Sequence, residues 1–370
     1  MPAYFAPGRV NLIGEHTDYN GGFVFPCALD FGTRLTVTPN SDKLLRFRSV
    51  NMPETVELPI DKDFTPLPGR SWVNYPLGCI AQLAQQAGGL HIGYDLLFEG
   101  NVPLGAGLSS SASIEVVTAY AFNDLLRLNL DRKQIALIAQ QAEHTYAGVN
   151  CGIMDQFVSA CGKHDNAIFL NCDTLQFDYV PLRLDNVSIV LTNSHSPHKL
   201  DAGTYNQRVR ECQEAVRLIS RSKPIRQLAD LTVADFNELE STITDPVIKK
   251  RAKHVVTEIQ RTRDAVAALR DNDLTAFGQL MNRSHQSLRD DYEVTGTELD
   301  TLAQTAWSIE GVIGSRMTGG GFGGCTVSLV RNDAIDRFKQ TVSQNYRQVT
   351  DLQAEFYIAN TGDGAQKISE

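Results

Sequence analysis

The sequence predicts two domains of mixed α and β structure, and three observations lead there. The chain has 370 residues, more than one hydrophobic core usually serves. Its first hundred residues consist mainly of short apolar and β-branched segments that end at Gly, Pro or Asn, as strands do. The segment from 207 to about 288 has the spacing of helices almost throughout. We place the domain boundary near residue 185, which gives domains over 1–185 and 186–370.

The individual elements follow from hydrophobic periodicity and from start and stop signals. Strands are predicted at 34–38, 44–48, 94–98, 167–170, 187–192, 325–330 and 354–358. Helices are predicted at 73–86, 111–126, 131–146 and 333–346, besides those of 207–288, whose polar connectors lie near 221–227 and 242–245. Asp131 is a predicted N-cap, and three serines that end at Ser111 can cap the helix that follows them. No internal repeat is visible.

Composition limits the classes of function. Hydrophobic residues make up 42% of the chain and charged residues 21%, the balance of a globular protein. A net charge of -9 argues against a general affinity for nucleic acid or for an anionic membrane, but it leaves room for an anionic substrate such as ATP. The seven cysteines have no CxxC spacing, and neither a signal peptide nor a long apolar run is visible, which predicts reduced thiols and a cytoplasmic protein.

A glycine- and serine-rich loop lies between a predicted strand and a predicted helix. Glycines let a backbone approach a phosphate closely, and the amides of a first helical turn favour an anion. The chain has no GxxxxGK[ST] pattern, so charge neutralisation here rests on amides and Mg²⁺ rather than on a lysine. We therefore expect nucleotide phosphates to be bound by Gly105, Ala106, Gly107, Leu108, Ser109, Ser110 and Ser111. A serine-rich helix cap after a glycine turn is the alternative.

A second glycine run, 319–324, matches the GxGxxG pattern of dinucleotide-binding proteins. That pattern requires a strand before it and a helix after it. Here a β-branched strand follows, which excludes the dinucleotide interpretation. Two interpretations remain open: a glycine loop that lies close to a ligand, and a tight turn required by packing.

A polar cluster lies near the start of the chain, where Arg9, Glu15, His16 and Asp18 are flanked by apolar residues and glycines. Carboxylates and an imidazole side by side are suited to binding the hydroxyl groups of a sugar. A metal site of Glu, His and Asp is a weaker alternative, because no further ligand completes a zinc pattern nearby. The cluster therefore predicts a sugar site.

Taken together, these segments resemble the GHMP family of small-molecule kinases, and within it the galactokinases. The segments that carry the resemblance are 8–19, 103–112, 150–156, 289–294 and 317–325. They occur in the family's order over nearly the whole chain. Members of this family usually have a further segment ahead of the first motif, whereas five residues precede Ala6 here. Truncation and a naturally short start both remain open.

The resemblance implies an α+β fold with two domains. The N-terminal domain would be like a ribosomal-protein S5 domain 2, the C-terminal domain ferredoxin-like, and the active site would lie in the cleft between them. The implied activity is transfer of the γ-phosphoryl group of MgATP to the 1-hydroxyl of α-D-galactose. This reaction gives galactose 1-phosphate and ADP, the first step of galactose catabolism.

The resemblance also implies the catalytic and metal-binding residues. Asp155 would be the catalytic base, and Arg9 would stabilise the transferring group and favour the ionised form of Asp155. From the residues alone, a helix N-cap is the alternative role for Asp155. Ser111 and Glu143 would bind Mg²⁺, and Glu143 also lies at the edge of an apolar helix face, where a lone carboxylate is costly to bury.

The substrate contacts follow from the same resemblance. Galactose is expected to contact Glu15, His16, Thr17, Asp18, Gly152 and Tyr205. Ser49 and Trp72 are expected on the adenine or ribose side of ATP. Galactose and ATP are then the small-molecule partners, with no nucleic acid and no membrane, and the protein would be a monomer or a weak homo-oligomer.

Two alternatives to a galactokinase remain at this point. One is another kinase of the family, acting on N-acetylgalactosamine, mevalonate or homoserine. The Glu-His-Thr-Asp-Tyr run at 15–19 favours a hexose over the latter two. The other is a sensor that binds galactose and ATP and regulates transcription without catalysis. The intact serine loop, together with Arg9 and Asp155, favours an enzyme.

Overall fold

A computed structural model describes residues 1–69, 71–103, 107–196 and 202–368 of the chain. The strands are β1 Ala3–Asn11, β2 Phe23–Val24, β3 Pro26–Asn40, β4 Leu44–Ser49, β5 Val56–Pro59, β6 Gly93–Gly100, β7 Asn166–Asn171, β8 Phe177–Pro181, β9 Val187–Asn193, β10 Val312–Thr318, β11 Cys325–Arg331, β12 Glu355–Ala359 and β13 Gln366–Ile368. The α-helices are α1 Asn74–Gln86, α2 Ser110–Leu125, α3 Arg132–Ala142, α4 Met154–Cys161, α5 Ala202–Ile219, α6 Val233–Leu239, α7 Pro246–Arg270, α8 Leu274–Ser287, α9 Gly296–Trp307 and α10 Ile335–Thr350.

Short irregular helices complete the chain. The 3₁₀ turns are Asp18–Asn20, Leu228–Asp230, Glu240–Thr242 and Asn332–Ala334, and the π turns are Glu143–Ala147 and Leu288–Tyr292. Each strand and helix predicted above overlaps an observed element of the same type, so those predictions are confirmed. The sequence patterns missed α4, α9 and the strands β1, β2, β5, β8, β10 and β13.

The first half of the chain forms a sheet with the strand order β13-β1-β3-β6-β4-β5. Its pairs are antiparallel, except that β4 and β6 run parallel. In β3, Leu35 and Val37 are buried whereas Arg34 is exposed, the alternation expected of a strand with one face on the core. Helices α2 and α4 pack on β1 and β3, and α1 and α3 pack on α2. A small sheet, β2-β7-β8, lies beside this layer.

The second half is built on an antiparallel sheet with the order β10-β11-β9-β12. Numbered within this sheet by chain position, the order is 2-3-1-4, the ferredoxin-like arrangement implied by the resemblance. Helices α5 to α8 all lie in the chain between β9 and β10, which confirms the predicted helical segment. Helix α8 contacts β10, and α9 packs between β10 and α10.

The end of the chain returns to the first sheet. Strand β13 pairs with β1, where Ala3 lies opposite Ile368, and Leu29 forms a bridge with Thr361. Lys367 Nζ and the Tyr4 hydroxyl both donate to Asp124 Oδ2, at 2.9 and 2.7 Å. The boundary near residue 185 stays a prediction, and this last segment crosses it.

One predicted helix cap is confirmed and one is different. Asp131 caps α3 through a capping box, in which its side chain accepts from the Gln134 amide at 2.9 Å and the Gln134 side chain accepts from the Asp131 amide. Ser109 holds the N-cap position of α2, but its hydroxyl does not bond to that helix. The φ of Ser109 is 62°, a left-handed conformation that turns this side chain elsewhere.

The composition led to expectations about the cysteines and about membrane-spanning segments. All seven cysteines are free thiols, and each lies in a described range. No helix among the described residues combines the length and the apolar character of a membrane span.

Gly278 allows helix α8 to lie directly against β10. A Cβ atom at this position would be 2.0 Å from the carbonyl oxygen of Ile313 and 2.5 Å from its carbonyl carbon. Alanine normally stabilises a helix relative to glycine by about 0.5–1 kcal/mol. Here we expect Gly278→Ala to lower the free energy of unfolding instead, by about 1–3 kcal/mol, because the helix must move off the sheet.

Urea unfolding followed by circular dichroism measures this change. Thr275→Ala, an exposed position of the same helix, is the control and should leave the unfolding free energy within about 0.5 kcal/mol of the parent. A Gly278→Ala protein as stable as the parent would contradict the close packing of α8 on β10.

Candidate active site

A cavity of about 410 Å³ lies where the two halves of the chain meet. Its wall takes residues from the polar cluster at the start of the chain, the serine loop, the segment before α4, helix α5 and the second glycine run. The cavity is lined, among others, by Arg9, Glu15, His16, Asp18, Gly107, Leu108, Ser109, Ser110, Ser111, Glu143, Cys151, Gly152, Asp155, Tyr205 and Gly319. The sequence motifs therefore converge on one space, as the resemblance implied.

Arg9 and Asp155 form a bidentate ion pair in this wall. The Nε atom of Arg9 donates to Asp155 Oδ1 and one terminal nitrogen donates to Oδ2, both at 2.7 Å. The other terminal nitrogen donates to the Gly107 carbonyl at 2.9 Å. Burial lowers the pKa of Arg9, but Asp155, Glu15 and Asp18 raise it more, so the net direction is upward. Arg9 is therefore a permanent positive charge between the serine loop and Asp155.

Ser109 completes the contacts of Asp155. Its hydroxyl donates to Asp155 Oδ2, which explains why this side chain does not cap α2. Asp155 itself lies in the first turn of α4, after the N-cap residue Ile153, so the N-cap alternative for Asp155 is wrong. Its side chain keeps 26% of its surface exposed, towards the cavity.

Part of the serine loop lies outside the described residues, namely Gly105 and Ala106. The described part, Gly107 to Ser111, lines the cavity. The Leu108 carbonyl accepts a hydrogen bond from the Arg9 amide at 3.2 Å, which joins the loop to β1. Since α2 begins at Ser110, its first amides lie at the cavity, and such amides favour an anion.

Glu143 is buried at the junction between α3 and the π turn that follows it. Its Oε2 atom accepts from Gln156 Nε2 at 2.6 Å and from the Cys151 thiol at 3.4 Å. Burial and the nearby charge of Asp155 raise the pKa of Glu143 to about 7, against the opposing effect of these donors and of Ser111. The raised pKa reflects the predicted energetic cost of burying the Glu143 carboxylate. Ser111 lies next to Glu143.

Two buried residues behind this wall were not predicted from the sequence. Gln156 is fully buried, and its Nε2 also donates to Glu115 Oε2 at 3.1 Å. Glu115 is fully buried as well, and burial and the nearby Glu143 raise its pKa well above the usual value. The spacing of four residues between Ser111 and Glu115 on one helix is a signal that could have found Glu115. Gln156 could only be noted as the neighbour of Asp155.

Glu15 joins the polar cluster to the second glycine run. Its Oε1 atom accepts from the Gly319 amide at 2.8 Å, from the Thr318 hydroxyl at 3.2 Å and from a terminal nitrogen of Arg316 at 3.3 Å. A Cβ atom on Gly319 would lie 3.0 Å from the Gly107 carbonyl oxygen, so the two glycine segments are in close contact. The positive φ values of Gly319, Gly321, Gly323 and Gly324 agree with the tight-turn interpretation. Gly319 also lines the cavity, and its closeness to a ligand stays a prediction.

His16 presents one unpaired nitrogen in the same region. Its Nδ1 lies 2.9 Å from the Tyr19 hydroxyl, which lies 2.6 Å from the Tyr292 hydroxyl. Its Nε2 is buried with no hydrogen-bond partner among the described residues. Burial, with the nearby His254 and Arg208, lowers the pKa of His16 well below its usual value, so the imidazole is neutral. A neutral imidazole with one free nitrogen is suited to a hydroxyl ligand.

Asp18, Gly152 and Tyr205 form the remaining side of the cavity. Gly152 lies directly against the Asp18 carboxylate, since a Cβ atom there would be 2.0 Å from Asp18 Oδ2. Burial and the charge of Asp155 raise the pKa of Asp18 to about 7. The ring of Tyr205 lies 5.9 Å from His16 and 5.4 Å from Tyr19, centroid to centroid.

Thr17 is not brought into the cavity wall. Its hydroxyl lies 2.9 Å from the Gly14 carbonyl oxygen and 2.7 Å from that of Phe23, and it is fully buried. These contacts hold the turn of the polar cluster, while its neighbours His16 and Asp18 line the cavity.

Helix α7 supports the polar cluster from the second half of the chain. Glu258 Oε1 accepts from the Gly14 amide at 3.0 Å, and its Oε2 accepts from Arg261 at 2.7 Å. Burial raises the pKa of Glu258, but Arg261, His254 and Arg316 outweigh burial and bring it to about 2. His254 Nε2 lies 3.1 Å from the Glu15 carbonyl oxygen. The cluster is thus held by a charged carboxylate and an imidazole.

A second cavity, of about 240 Å³, adjoins the first and shares Tyr75, Ser110 and Ser111 with it. Ser49 and Trp72 line it, as the resemblance implied for the nucleoside side. Its other lining residues are mostly apolar, and Trp72 Nε1 is a buried donor with no partner among the described residues. An apolar slot with one spare donor suits a planar heterocycle.

The residues predicted to bind Mg²⁺ are Ser111 and Glu143. Among the described residues, no group of three or more His, Cys, Asp or Glu side chains forms a metal cage. Ser111 lies in the first turn of α2 beside Glu143, whose pKa is raised by burial and by the charge of Asp155. Oxygen donors with missing ligands are what Mg²⁺ uses when substrate phosphates complete its coordination. The residues present therefore fit Mg²⁺.

Three family models match the chain. A galactokinase galactose-binding signature matches residues 2–39, the N-terminal domain of GHMP kinases matches 74–163, and their C-terminal domain matches 265–348. A galactokinase from Fusobacterium nucleatum is 50% identical over 367 residues, which cover 99% of this chain and 94% of the relative. A galactokinase from Bacillus subtilis is 44% identical over 367 residues, with the same coverage.

Solved structures agree with these matches. The crystal structure of Lactococcus lactis galactokinase complexed with galactose has a TM-score of 0.96 at 42% identity, and the alignment covers 99% of this chain and 95% of that one. The mevalonate kinase of Methanococcus jannaschii has a TM-score of 0.68 at 16% identity and covers 98% of each chain, so it shares the fold. By sequence and by structure, this chain belongs to the galactokinase family of the GHMP kinases.

Proposed function

We propose that this chain transfers the γ-phosphoryl group of MgATP to the 1-hydroxyl of α-D-galactose. The observation that carries the proposal is the Arg9–Asp155 pair, which lies between the serine loop and the polar cluster in one cavity. One side of the pair is suited to phosphates and the other to a sugar. The Lactococcus lactis relative, solved with galactose, supports the identity of the sugar.

Asp155 is the proposed catalytic base. A carboxylate has about four lone-pair positions. Arg9 and Ser109 use two on Oδ2, and Arg9 uses one on Oδ1. One position on Oδ1 is left to accept the proton of the sugar hydroxyl. Because both oxygens are held, the carboxylate is oriented before the substrate arrives, which general base catalysis requires.

Arg9 is the proposed electrostatic catalyst. Its guanidinium contacts the serine loop through Gly107 and the base through Asp155. Negative charge builds up on the phosphoryl oxygens during transfer, and a fixed positive charge between loop and base stabilises it without reorganisation. The loop contributes the first amides of α2 for the same oxygens.

Ser111 and Glu143 are the proposed Mg²⁺ ligands, together with the nucleotide phosphates. The ion neutralises phosphate charge when it is bound. Gln156 and Cys151 hold the Glu143 carboxylate in place by hydrogen bonds. Ser110, shared by both cavities, lies where the phosphates and the nucleoside would join.

Galactose is placed against Glu15, His16, Asp18, Gly152 and Tyr205. The free nitrogen of His16 and the carboxylates supply partners for several hydroxyl groups, and Tyr205 supplies an aromatic face. Thr17 would act through the turn that it holds rather than by contact. The nucleoside is placed in the second cavity, with Trp72 and Ser49 in its wall.

We also propose a cytoplasmic location and a monomer or weak homo-oligomer. The seven free thiols support the first proposal, because such residues persist in a reducing compartment. Nucleic acid is not an expected partner, given the net charge of -9.

The choice of sugar is tested by ADP release with a panel of acceptors. We expect galactose to be the best acceptor, since the polar cluster matches the galactokinase galactose-binding signature. N-acetylgalactosamine, mevalonate and homoserine are the competing acceptors. Equal or faster turnover of N-acetylgalactosamine would contradict galactose as the preferred acceptor. Absence of turnover with every acceptor would favour a non-catalytic sensor of galactose and ATP.

Asp155→Asn tests the base. The amide keeps the shape but cannot take the proton, so we expect kcat to fall by about 10²–10⁴-fold while galactose binding stays measurable by calorimetry. Asp178→Asn, an exposed carboxylate of β8, is the matched control and should keep the parent kcat. Near-normal turnover by Asp155→Asn would rule out the base assignment.

Asp18→Asn tests the crowding of carboxylates. The folded-state pKa of Asp18 is about 7, above its usual value of 3.8. The ionised Asp18 therefore lowers the free energy of unfolding, fully above pH 7 and progressively less as the pH falls towards 4. We therefore expect Asp18→Asn to raise the unfolding free energy at pH 8 by on the order of 1–2 kcal/mol, to raise it less at pH 5, and to weaken galactose binding.

Urea unfolding at both pH values and calorimetry with galactose measure these effects. Asp178→Asn again serves as the control and should show no pH-dependent gain. A variant that is less stable than the parent at pH 8 would show that Asp18 is not held at a destabilising position.

A further inference from the structure

Arg316, on β10, is a fully buried charge near the cavity. None of its side-chain surface is exposed. One terminal nitrogen donates to the Asn11 carbonyl at 2.9 Å and to Glu15 Oε1 at 3.3 Å. Its Nε and its other terminal nitrogen have no hydrogen-bond partner among the described residues. The arginine is therefore buried with most of its donors unused.

This arrangement is poor for stability. A buried guanidinium is costly unless its donors are paired, and apolar residues that replace buried ion pairs are often neutral or stabilising. An apolar side chain at position 316 would also suit a strand between Ser315 and Met317, both of which are buried. The reason for a charge here must therefore lie in what the charge does to its neighbours.

The charged neighbour that hydrogen-bonds to Arg316 is Glu15. Three donors converge on Glu15 Oε1, from Arg316, Thr318 and Gly319. Oε2 makes no hydrogen bond to the described residues, and Glu15 lines the cavity. Glu15 is only 1% exposed, and burying a carboxylate is costly unless hydrogen bonds and a positive charge pair with it.

Arg316 is well placed to supply that charge. Arg9 is also buried near Glu15, but its guanidinium is committed to Asp155 and Gly107. Arg261 is committed to Glu258. Arg316 is thus the guanidinium that both contacts Glu15 and leaves the cavity side of its carboxylate open.

We propose that Arg316 is a positioning residue for the sugar, which holds Glu15 so that Oε2 faces the bound hydroxyl groups. The guanidinium binds one oxygen of Glu15 from behind, and the sugar binds the other from the cavity. This inference rests on the proposed function, because it assigns Glu15 to galactose. It also links β10 to the polar cluster across the two halves of the chain.

The test compares galactose and ATP in the full-length protein. Kinetics give kcat and both KM values, and calorimetry gives the Kd of galactose. The variants are Arg316→Met, Arg316→Lys, Glu15→Gln and the double variant Glu15→Gln/Arg316→Met. Arg251→Met is the matched control, since Arg251 is another buried arginine with two carboxylate partners, Glu211 and Glu293.

The proposal makes a distinct pattern of expectations. Arg316→Met should raise the galactose KM and Kd by about 10- to 100-fold, the effect of losing a hydrogen bond to a charged group, and leave the ATP KM within about twofold. Arg316→Lys, which keeps the charge, should recover most of the galactose affinity. The double variant should bind galactose as tightly as Glu15→Gln does, because Glu15→Gln already removes the carboxylate charge that Arg316 contacts. Arg251→Met should keep the parent galactose KM.

Other outcomes overturn the proposal. Equal losses for galactose and ATP, no rescue by lysine, or additive effects in the double variant would each show that Arg316 acts only on the fold. If Arg316→Met does not fold, the lysine variant and the comparison of the double variant with Glu15→Gln still decide the question. An active parent with an unaffected Arg316→Met overturns this inference alone, whereas a parent that neither binds nor phosphorylates galactose overturns the proposed function and this inference together.

Discussion

The hydrogen bond from the Gly14 amide to the buried carboxylate of Glu258 is the contact on which the site depends most. It joins the polar cluster of the first half to helix α7 of the second. The carboxylate stays charged inside the protein because Arg261, His254 and Arg316 surround it. A charged acceptor makes a stronger bond to an amide than a neutral one. The turn that carries Glu15, His16 and Asp18 is therefore fixed before any ligand binds.

The carboxylates around the cavity, in contrast, lower the free energy of unfolding. Asp18 and Glu143 both have a pKa raised to about 7, and the pKa of Glu115 is raised well above its usual value. Arg9 is paired with Asp155 and not with any of these three carboxylates. Such crowding is tolerated at functional sites, where ligands and ions relieve it. Substrate hydroxyl groups and a divalent cation are the natural means of relief for this set.

Local signals in the sequence were sufficient for much of the fold and the site. The periodicity of α3 and its capping pair Asp131 and Gln134 are short-range features, and the structure has them as expected. Glycine and serine runs, which act through the backbone, were found for the same reason. The family resemblance added the two-domain arrangement, which is confirmed by the similarity to solved structures.

Contacts between distant residues were not accessible in the same way. Ser109 looks like a helix cap until the structure brings Asp155 next to it. Thr17 lies inside a motif whose neighbours face the cavity, yet its hydroxyl faces the main chain. Gln156, Arg316 and Glu258 carry no pattern of their own, because their roles depend on partners from other elements. Only packing in three dimensions distinguishes such residues from ordinary buried ones.

The pairing of β13 with β1 has a consequence for synthesis on the ribosome. Strand β1 emerges first, but the neighbour on its outer side is made from the last described residues of the chain. Until then that edge of the nascent sheet has unpaired amides and carbonyls, which is a template for association with other chains. The first half can thus form its helices and inner strands early, while this edge stays unpaired until residues 366–368 have been made.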